Sequence, residues 1–202
     1  MARSERERLL RWARREHPTF RASDAAEKGF HSQALTRLVQ EGAVERVSTG
    51  VYRIADAEVT EHHGLALAAA AVPGGVVCLI SALEFHGIGT QLGYRIWLAL
   101  ERGSRTPRVS YPPVEIVRFS GQAFRAGIET HEIEGHAVEV YNLPKTIADC
   151  FKFRNKIGLD VAIEALREAW IERRLRPVDI EPYAKICRVN NVMRPYLEAL
   201  AG

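Results

Sequence analysis

Apolar residues recur at helical spacing from the start of the chain. Within residues 3–15, Leu9, Leu10 and Ala13 fall on one face of a helix, and arginines are spread around the rest of it. Pro18 is expected to close this helix, because proline disfavours helical conformation in the residue before it. The pattern predicts a first amphipathic helix with a basic outer surface.

Two further helices are predicted directly afterwards. Ser23 is a plausible cap for a short helix that ends at Gly29, and Ser32 is a plausible cap for the next one. The connection is a tight turn over residues 29–31. A turn of this length between two short helices is typical of a helix-turn-helix motif.

The third predicted helix divides cleanly into two faces. Its inner side carries the apolar residues Ala34, Leu35, Leu38 and Val39. Its outer side carries Gln33, Thr36, Arg37 and Gln40. Glutamine suits an adenine edge and arginine a guanine edge, so this face fits a DNA major groove, whereas the plain alternative is an ordinary solvated helix surface.

Residues 43–54 then predict a small β-hairpin, "AVERV" and "VYRI", that turns over Ser48, Thr49 and Gly50. A two-stranded wing after a recognition helix is typical of a winged helix-turn-helix domain, although some winged helices bind proteins instead. The predicted DNA contacts are Ser32, Gln33, Thr36, Arg37, Gln40, Arg46, Ser48, Thr49 and Arg53.

The rest of the chain predicts a second domain of a different kind. A linker leads into an apolar helix, "LALAAAAV", and then into "SALEFHGI", a helix for which Ser81 is the expected cap. Four strands follow, the last two joined by a hairpin turn at Glu134 and Gly135, and helices return from Pro144 onward. We therefore predict an α+β protein with a winged helix-turn-helix at residues 1–56 and a larger α+β domain at residues 57–202, whose sheet the C-terminal helices cover.

Charge is distributed unevenly between these two parts. Residues 1–54 hold eleven Lys/Arg against seven Asp/Glu, while residues 55–202 hold seventeen against eighteen. The basic surplus at the front agrees with nucleic-acid binding, but a surplus of four is also common on solvated faces. A second basic group, a possible contact for a toxin or a nucleic acid, consists of Lys145, Lys152, Arg154 and Lys156.

Catalytic and membrane-spanning functions find little support in the sequence. Phosphate-binding, dinucleotide-binding and nucleophile-elbow motifs are all missing, and the histidines lack the spacing of metal ligands. Cys78, Cys150 and Cys187 are expected to be buried thiols. No apolar run is long enough to cross a bilayer, and the N-terminus lacks the apolar stretch of a signal peptide, so we expect a cytoplasmic protein without a metal or another cofactor.

Three stretches together resemble the AbiEi family of antitoxins from type IV toxin-antitoxin systems. They are "GVYRI", "LISALEFHGI" and "VYNLPKTIADCFKFRNKIGLDVAIEALREAW". The resemblance runs along nearly the whole chain. In many family members an Arg-Gly pair precedes Val-Tyr-Arg, whereas this chain has Thr49 before Gly50, which removes one expected phosphate contact; Arg46 is the candidate to replace it.

The resemblance implies a bacterial regulator without enzymatic activity. Its winged helix would bind inverted repeats in its own promoter, and its C-terminal domain would counteract a nucleotidyltransferase-like toxin of the AbiEii family. One alternative is a stand-alone transcription factor whose second domain senses a small ligand. A nuclease or nucleotidyltransferase is a further alternative, against which the lack of paired metal-binding carboxylates argues.

Overall fold

The computed structural model of the chain describes residues 4–57, 60–91 and 93–201. It is an α+β protein that packs as two compact units. The first comprises residues 1–74, 106–114 and 130–138, and the second comprises residues 75–105, 115–129 and 139–202. The coarse fold class is thus confirmed: helices predominate near the N-terminus, and a mixed sheet is followed by C-terminal helices. The predicted domain boundary after residue 56 stays a prediction.

Helices and strands are interspersed along the first part of the chain, and the described elements after β8 are all helices. The helices are α1 Glu5–Glu16, α2 Ala22–Glu27, α3 Ser32–Gln40, α4 His63–Ala71, α5 Leu79–Phe85, α6 Gln122–Arg125, α7 Leu143–Lys152, α8 Arg154–Ile157, α9 Leu159–Ile171, α10 Pro177–Cys187 and α11 Asn190–Ala201. The strands are β1 Thr19–Arg21, β2 Val44–Ser48, β3 Val51–Ile54, β4 Val76–Val77, β5 Ile96–Glu101, β6 Val114–Phe119, β7 Ile128–Ile133 and β8 His136–Tyr141.

Helices α2 and α3 begin at positions that differ from those the sequence predicts. The N-cap position of α2 is Arg21, whose N–H donates to Asp24 Oδ2 at 2.9 Å, so Ser23 lies inside the helix and is not its cap. The N-cap position of α3 is His31, one residue before the predicted Ser32. Gly29 ends α2 with a φ of +81°, a conformation that glycine adopts without strain, as the sequence predicts.

A three-stranded antiparallel sheet completes the N-terminal part, with strand order β1-β3-β2. Strands β2 and β3 form the predicted hairpin, and an irregularity between Arg46 and Ser48 shifts its register by one residue. The N–H of Ala22 donates to the Gly50 carbonyl at 2.9 Å. The hairpin turn is therefore attached to the first residue of α2.

A compact apolar cluster lies between these helices and strands. Leu9, Phe20, Leu38 and Ile54 are almost completely buried in it, and the Trp12 ring packs edge-on against Phe20 at 5.3 Å between centroids. A smaller cluster joins Val51 of β3 to apolar residues of α4. The cluster includes residues from all three helices and from every strand of the small sheet, so it holds these elements together.

The tip of the β7–β8 hairpin belongs to the first unit. His17 Nδ1 donates to the Gly135 carbonyl at 2.8 Å, and His63 Nδ1 donates to Glu134 Oε2 at 2.6 Å. The other oxygen of Glu134 accepts from the N–H and the hydroxyl of Thr60, at 2.9 and 3.0 Å. The turn at Glu134 and Gly135 is where the sequence predicts it, and both residues have positive φ as a tight hairpin turn requires.

Strands β4 and β5 of the second unit belong to a five-stranded sheet with the order β6-β5-β4-β8-β7. Strand β4 runs antiparallel to β5 and parallel to β8, which makes the sheet mixed. The helix that follows β4 begins at Leu79, two residues before the predicted cap Ser81. Ser81 is buried instead, and its hydroxyl accepts from the Trp97 N–H at 3.0 Å, so it joins the helix to β5.

An apolar core of this unit contains a buried ion pair. Lys145 and Asp149 lie one turn apart on α7, both side chains are 0% exposed, and the ammonium pairs with the carboxylate. The ammonium also faces the Tyr141 ring at 4.0 Å, and the Cys187 thiol donates to Asp149 Oδ1 at 3.1 Å. Burial raises the pKa of the Asp149 carboxyl, and the Lys145 charge opposes that rise. The expectation that Lys145 lies on a contact surface is therefore wrong.

The three cysteines are buried and form no disulfide, as predicted. Burial raises the pKa of the Cys187 thiol to about 12, and those of Cys78 and Cys150 are raised as well. Thiols with such pKa values are protonated near neutral pH and react slowly.

No helix within the described residues combines the length and the apolar composition that crossing a membrane requires.

Replacement of Lys145 by alanine should destabilise the protein strongly. Removing the ammonium leaves Asp149 without its cationic partner, which typically costs about 3–5 kcal/mol when the pair is buried. The measurement is the free energy of unfolding in urea, with Lys152→Ala as control because Lys152 is exposed on the same helix. The two-site variant Lys145→Met/Asp149→Leu should recover most of the loss.

The pH dependence of Lys145→Ala gives a second check. The unpaired Asp149 should stay protonated in the folded state, so its pKa lies above the unfolded value and stability falls as pH rises from about 4 towards 7. An equal loss in Lys145→Ala and Lys152→Ala, without this pH trend, would contradict the importance of the pair.

Acid should weaken the first unit through His136. Burial lowers the pKa of this imidazole below its ordinary value of about 6.5, and the nearby His17 lowers it further, while Thr19, Asp24 and Glu134 act in the opposite direction. Because the unfolded state binds a proton at this histidine more readily than the folded state does, stability is fully present above about pH 6.5. It is lost as pH falls below that value.

His136→Gln should therefore reduce the shift of the urea midpoint between pH 7.5 and 5.5. The control is His31→Gln, at a histidine whose side chain is 83% exposed. If the midpoint of His136→Gln shifts with pH as much as that of the unmodified protein, the buried imidazole does not cause the acid sensitivity.

Candidate nucleic-acid interface

Helix α3 presents a polar surface because its apolar stripe is anchored in the core. Ala34, Leu35 and Leu38 are buried. The exposed face of α3 carries Ser32, Gln33, Thr36, Arg37 and Gln40, the same side chains that the sequence analysis selected on this helix. The Thr36 hydroxyl donates to the Ser32 carbonyl at 3.0 Å, which leaves its methyl group and its oxygen lone pairs for an external contact.

The beginning of α3 forms one side of a groove of about 590 Å³. Gln33 and Arg37 line it together with Ser32, so two side chains with base-reading chemistry share one concave surface. Ser4 and Arg6 contribute from the beginning of α1. Thr36 and Gln40 are exposed but are not part of the groove lining.

A carboxylate lies at the entrance of the same groove. Glu5 Oε1 accepts from the His31 N–H at 2.6 Å and lies 3.0 Å from His31 Nδ1. These hydrogen bonds lower the pKa of the Glu5 carboxyl, so the group is ionised at neutral pH. A negative charge near the positive end of the α3 dipole is favourable for the protein itself.

The arginines of α1 differ in how freely they can meet an external anion. Arg6 pairs with Glu41, and Arg14 pairs with Asp56 at 2.9 Å. Arg11 and Arg15 are exposed and form no ion pair with any residue in the described part of the chain. The basic surface of α1 therefore contains both internally neutralised and available guanidinium groups.

The hairpin supplies fewer contacts than its sequence suggests. Arg46 and Thr49 are exposed, as a contact with phosphate requires. Arg53 pairs with Glu45 at 2.8 Å, and only 18% of its side chain is exposed. Ser48 is 7% exposed, and its hydroxyl is 3.1 Å from that of Ser110. This burial corrects the expectation that Ser48 meets a phosphate.

The C-terminal basic group does not form a single surface. Lys145 is buried, as described above. Arg154 donates to the Phe151 carbonyl at 2.9 Å, and Lys156 pairs with Glu115 at 2.7 Å. Lys152 is exposed, with its ammonium 5.8 Å from the centre of the Phe119 ring. Lys152 and the partly exposed Lys156 are the members of the group that best fit an external contact.

Residues 106–114 pack in the first unit beside the hairpin through Ser110, a placement that the sequence analysis did not predict. No local pattern could have revealed this, because 62 positions separate the two serines. The described residues include no group of three or more His, Cys, Asp or Glu placed to hold a metal ion. His63, one of two adjacent histidines, is bonded to Glu134.

Comparison with known proteins matches the N-terminal part to one family. Residues 7–55 match the family model described as a transcriptional regulator, AbiEi antitoxin, so the predicted resemblance is confirmed for these residues. A search of curated proteins found no match. The chain has the same fold as the crystal structure of the RV2827C protein from Mycobacterium tuberculosis, with a TM-score of 0.60 and 15% sequence identity over 92% of this chain and 72% of that one.

Proposed function

We propose that this chain, whose residues 7–55 match the AbiEi antitoxin family of transcriptional regulators, is a DNA-binding repressor and antitoxin. It would act in the bacterial cytoplasm as part of a type IV toxin-antitoxin system. The observation that carries the proposal is the exposed face of α3, on which Gln33 and Arg37 share a groove within the matched residues.

The order of elements supports a winged helix-turn-helix as the DNA-binding part. Helices α2 and α3 are joined by a four-residue turn, and the β2–β3 hairpin follows α3 and pairs with β1. In this arrangement α3 would be the recognition helix and the hairpin would be the wing. Such a helix enters the major groove with its N-terminal residues against the base edges.

Sequence discrimination would come from α3. Arg37 can donate two hydrogen bonds to a guanine, and Gln33 can bind an adenine through its amide. Thr36 offers a methyl group to thymine, while Ser32 and Gln40 lie at the two ends of the same face. A protein that binds inverted repeats would place two copies of this helix one helical turn of DNA apart.

Affinity would come mainly from phosphate contacts. Arg11 and Arg15 of α1 and Arg46 of the wing are exposed cations without a partner among the described residues. Each phosphate that they neutralise releases counterions, which makes binding depend on salt concentration. Thr49 at the wing tip can add a neutral hydrogen bond in place of the arginine that many relatives carry.

The antitoxin role would belong to the second unit. We propose that it counteracts a co-encoded nucleotidyltransferase-like toxin, directly or by functional antagonism, and that the protein itself catalyses no reaction. Lys152 and Lys156 are the basic side chains from the predicted group that remain as candidate contacts there.

A ligand-sensing regulator is the second candidate, and one cavity favours it. A pocket of about 330 Å³ is lined by residues of α10 and α11, among them Ile180, Ala184, Met193 and Leu197. Its size and apolar lining suit a small molecule. A neighbouring gene for a nucleotidyltransferase-like protein would favour the antitoxin over this alternative.

Binding to the promoter should show clear sequence preference. In fluorescence-anisotropy titrations near physiological salt, we expect the protein to bind its own upstream DNA at least about a thousandfold more tightly than a scrambled duplex. Arg37→Ala should lose about 1–3 kcal/mol of binding free energy for the specific duplex and none for the scrambled one, because it removes a base contact. Arg46→Ala should weaken both duplexes alike and reduce the salt slope by about one, because it removes a phosphate contact.

These variants separate the two parts of the mechanism. If Arg37→Ala weakens binding to both duplexes equally, base reading by that side chain is disproved. Unchanged affinity in Arg46→Ala would disprove the wing contact. Weak and equal binding of both duplexes by the unmodified protein would contradict the repressor function as a whole and favour a protein-binding winged helix.

Repression and toxin neutralisation should be separable by mutation. Expressed from an inducible promoter, Arg37→Ala should restore growth to cells that produce the neighbouring toxin, because the base-reading face is not needed for antagonism. The same variant should fail to repress a reporter driven by the native promoter. Loss of growth rescue at equal protein level would show that neutralisation depends on DNA binding.

A further inference from the structure

The segment of residues 106–114 lies late in the sequence but belongs to the same compact unit as the N-terminal helices and the hairpin. Its direct link to the wing is the hydrogen bond between the hydroxyls of Ser110 and Ser48, which are 3.1 Å apart. Ser48 is the last residue of β2 and directly precedes the exposed wing tip at Thr49. The segment is thus held beside the strand end from which the wing turns.

The segment removes the Ser48 hydroxyl from the exposed surface of the wing. A hydroxyl at this position was a candidate phosphate contact, but in the structure it is covered and bonded internally. Ser110, which covers it, is itself exposed. The surface that an approaching duplex would meet at this point is therefore formed by residues 106–114 rather than by Ser48.

The segment carries one charge, the exposed side chain of Arg108. Arg108 forms no ion pair with any residue that the structure describes. Arg108 is two positions before Ser110, so its Cα lies within about 7 Å of the Cα of the residue attached to the wing. An arginine reaches several further ångströms from that position, which suits a DNA backbone beside the wing.

The backbone of the segment is restricted by its composition. Pro107, Pro112 and Pro113 each limit φ to a narrow range, and Pro112 is buried. Such a segment loses less conformational entropy when it contacts a ligand than a glycine-rich loop would. A fixed backbone with one exposed cation is well suited to position that charge against a phosphate.

We propose that residues 106–114 form a second backbone-contacting element beside the wing, in which Arg108 binds a DNA phosphate. This inference rests on the proposed function, since it extends the DNA interface beyond the residues that match the regulator family. It assigns to the DNA interface a residue from the second half of the chain.

The test is a salt series of anisotropy titrations with the full-length chain. The protein is titrated with its upstream duplex and with a scrambled duplex at several salt concentrations between 50 and 200 mM. Arg108→Ala should reduce the steepness of log affinity against log salt by about one on both duplexes. Over this range the salt-induced loss of affinity should then be about threefold smaller than in the unmodified protein.

Two further variants make the result specific. Arg108→Lys should retain the salt slope, because a phosphate accepts a point charge from lysine as well. Arg167→Ala removes the same charge from an exposed position on α9 in the second unit and should leave the slope unchanged. The urea midpoint of Arg108→Ala should equal that of the unmodified protein, which separates lost contact from lost folding.

The outcomes distinguish the inference from the function that it extends. If Arg108→Ala keeps the full salt slope while Arg46→Ala loses about one, the wing binds DNA without this segment and the inference is wrong. If Arg167→Ala lowers the slope as much as Arg108→Ala, the effect is one of net charge and the inference is likewise wrong. If the unmodified protein does not prefer its upstream duplex, the proposed function fails first.

Discussion

The burial of one stripe of α3 is the constraint on which the candidate interface depends. A helix of nine residues has little stability by itself in water, so packing must hold it. Leu35 and Leu38 insert into a core that Leu9, Phe20 and Ile54 complete. The rotation of α3 about its axis is thereby set, and the residues that point outward are the ones between the buried positions. The set of side chains exposed on this face is a consequence of the apolar packing beneath it.

The charges of the protein act in two different ways. Arg6, Arg14 and Arg53 are matched by carboxylates of the protein, and these exposed or partly exposed pairs add little stability. The Lys145–Asp149 pair is enclosed by apolar and aromatic groups, where both ions have lost their hydration. The number of Lys and Arg residues therefore overstates the number of cations that an acidic partner can contact. One of the counted cations, Lys145, is completely buried.

Local patterns predicted those features that local forces decide. The faces of α3, the turn at Gly29 and the tight turn at Glu134 follow from residue spacing and backbone preference within a few positions. The predicted cap Ser23 lies inside α2 because its neighbour Asp24 accepts from the Arg21 N–H at the start of the helix. Ser81 accepts from Trp97 on another element.

Long-range contacts explain the remaining differences. A lysine followed four residues later by an aspartate is common on solvated helices, so nothing in the sequence around Lys145 signals that it lies in the core. The cover that Ser110 forms over Ser48 joins positions far apart in the sequence. For the same reason, the exposed positions on α3 agree with the sequence pattern, whereas the burial of Ser48 on the hairpin does not.

The composition of the first unit from three separate stretches has a practical consequence for engineering. A chimera that exchanged only residues 1–56 between two relatives would transfer α3 and the β2–β3 hairpin without the residues that contact them from later in the sequence. His17 would then face a foreign turn in place of Gly135, and Ser48 would face a foreign residue in place of Ser110. Residues 106–114 and 130–138 would have to move with the N-terminal stretch for a graft to keep its native surroundings.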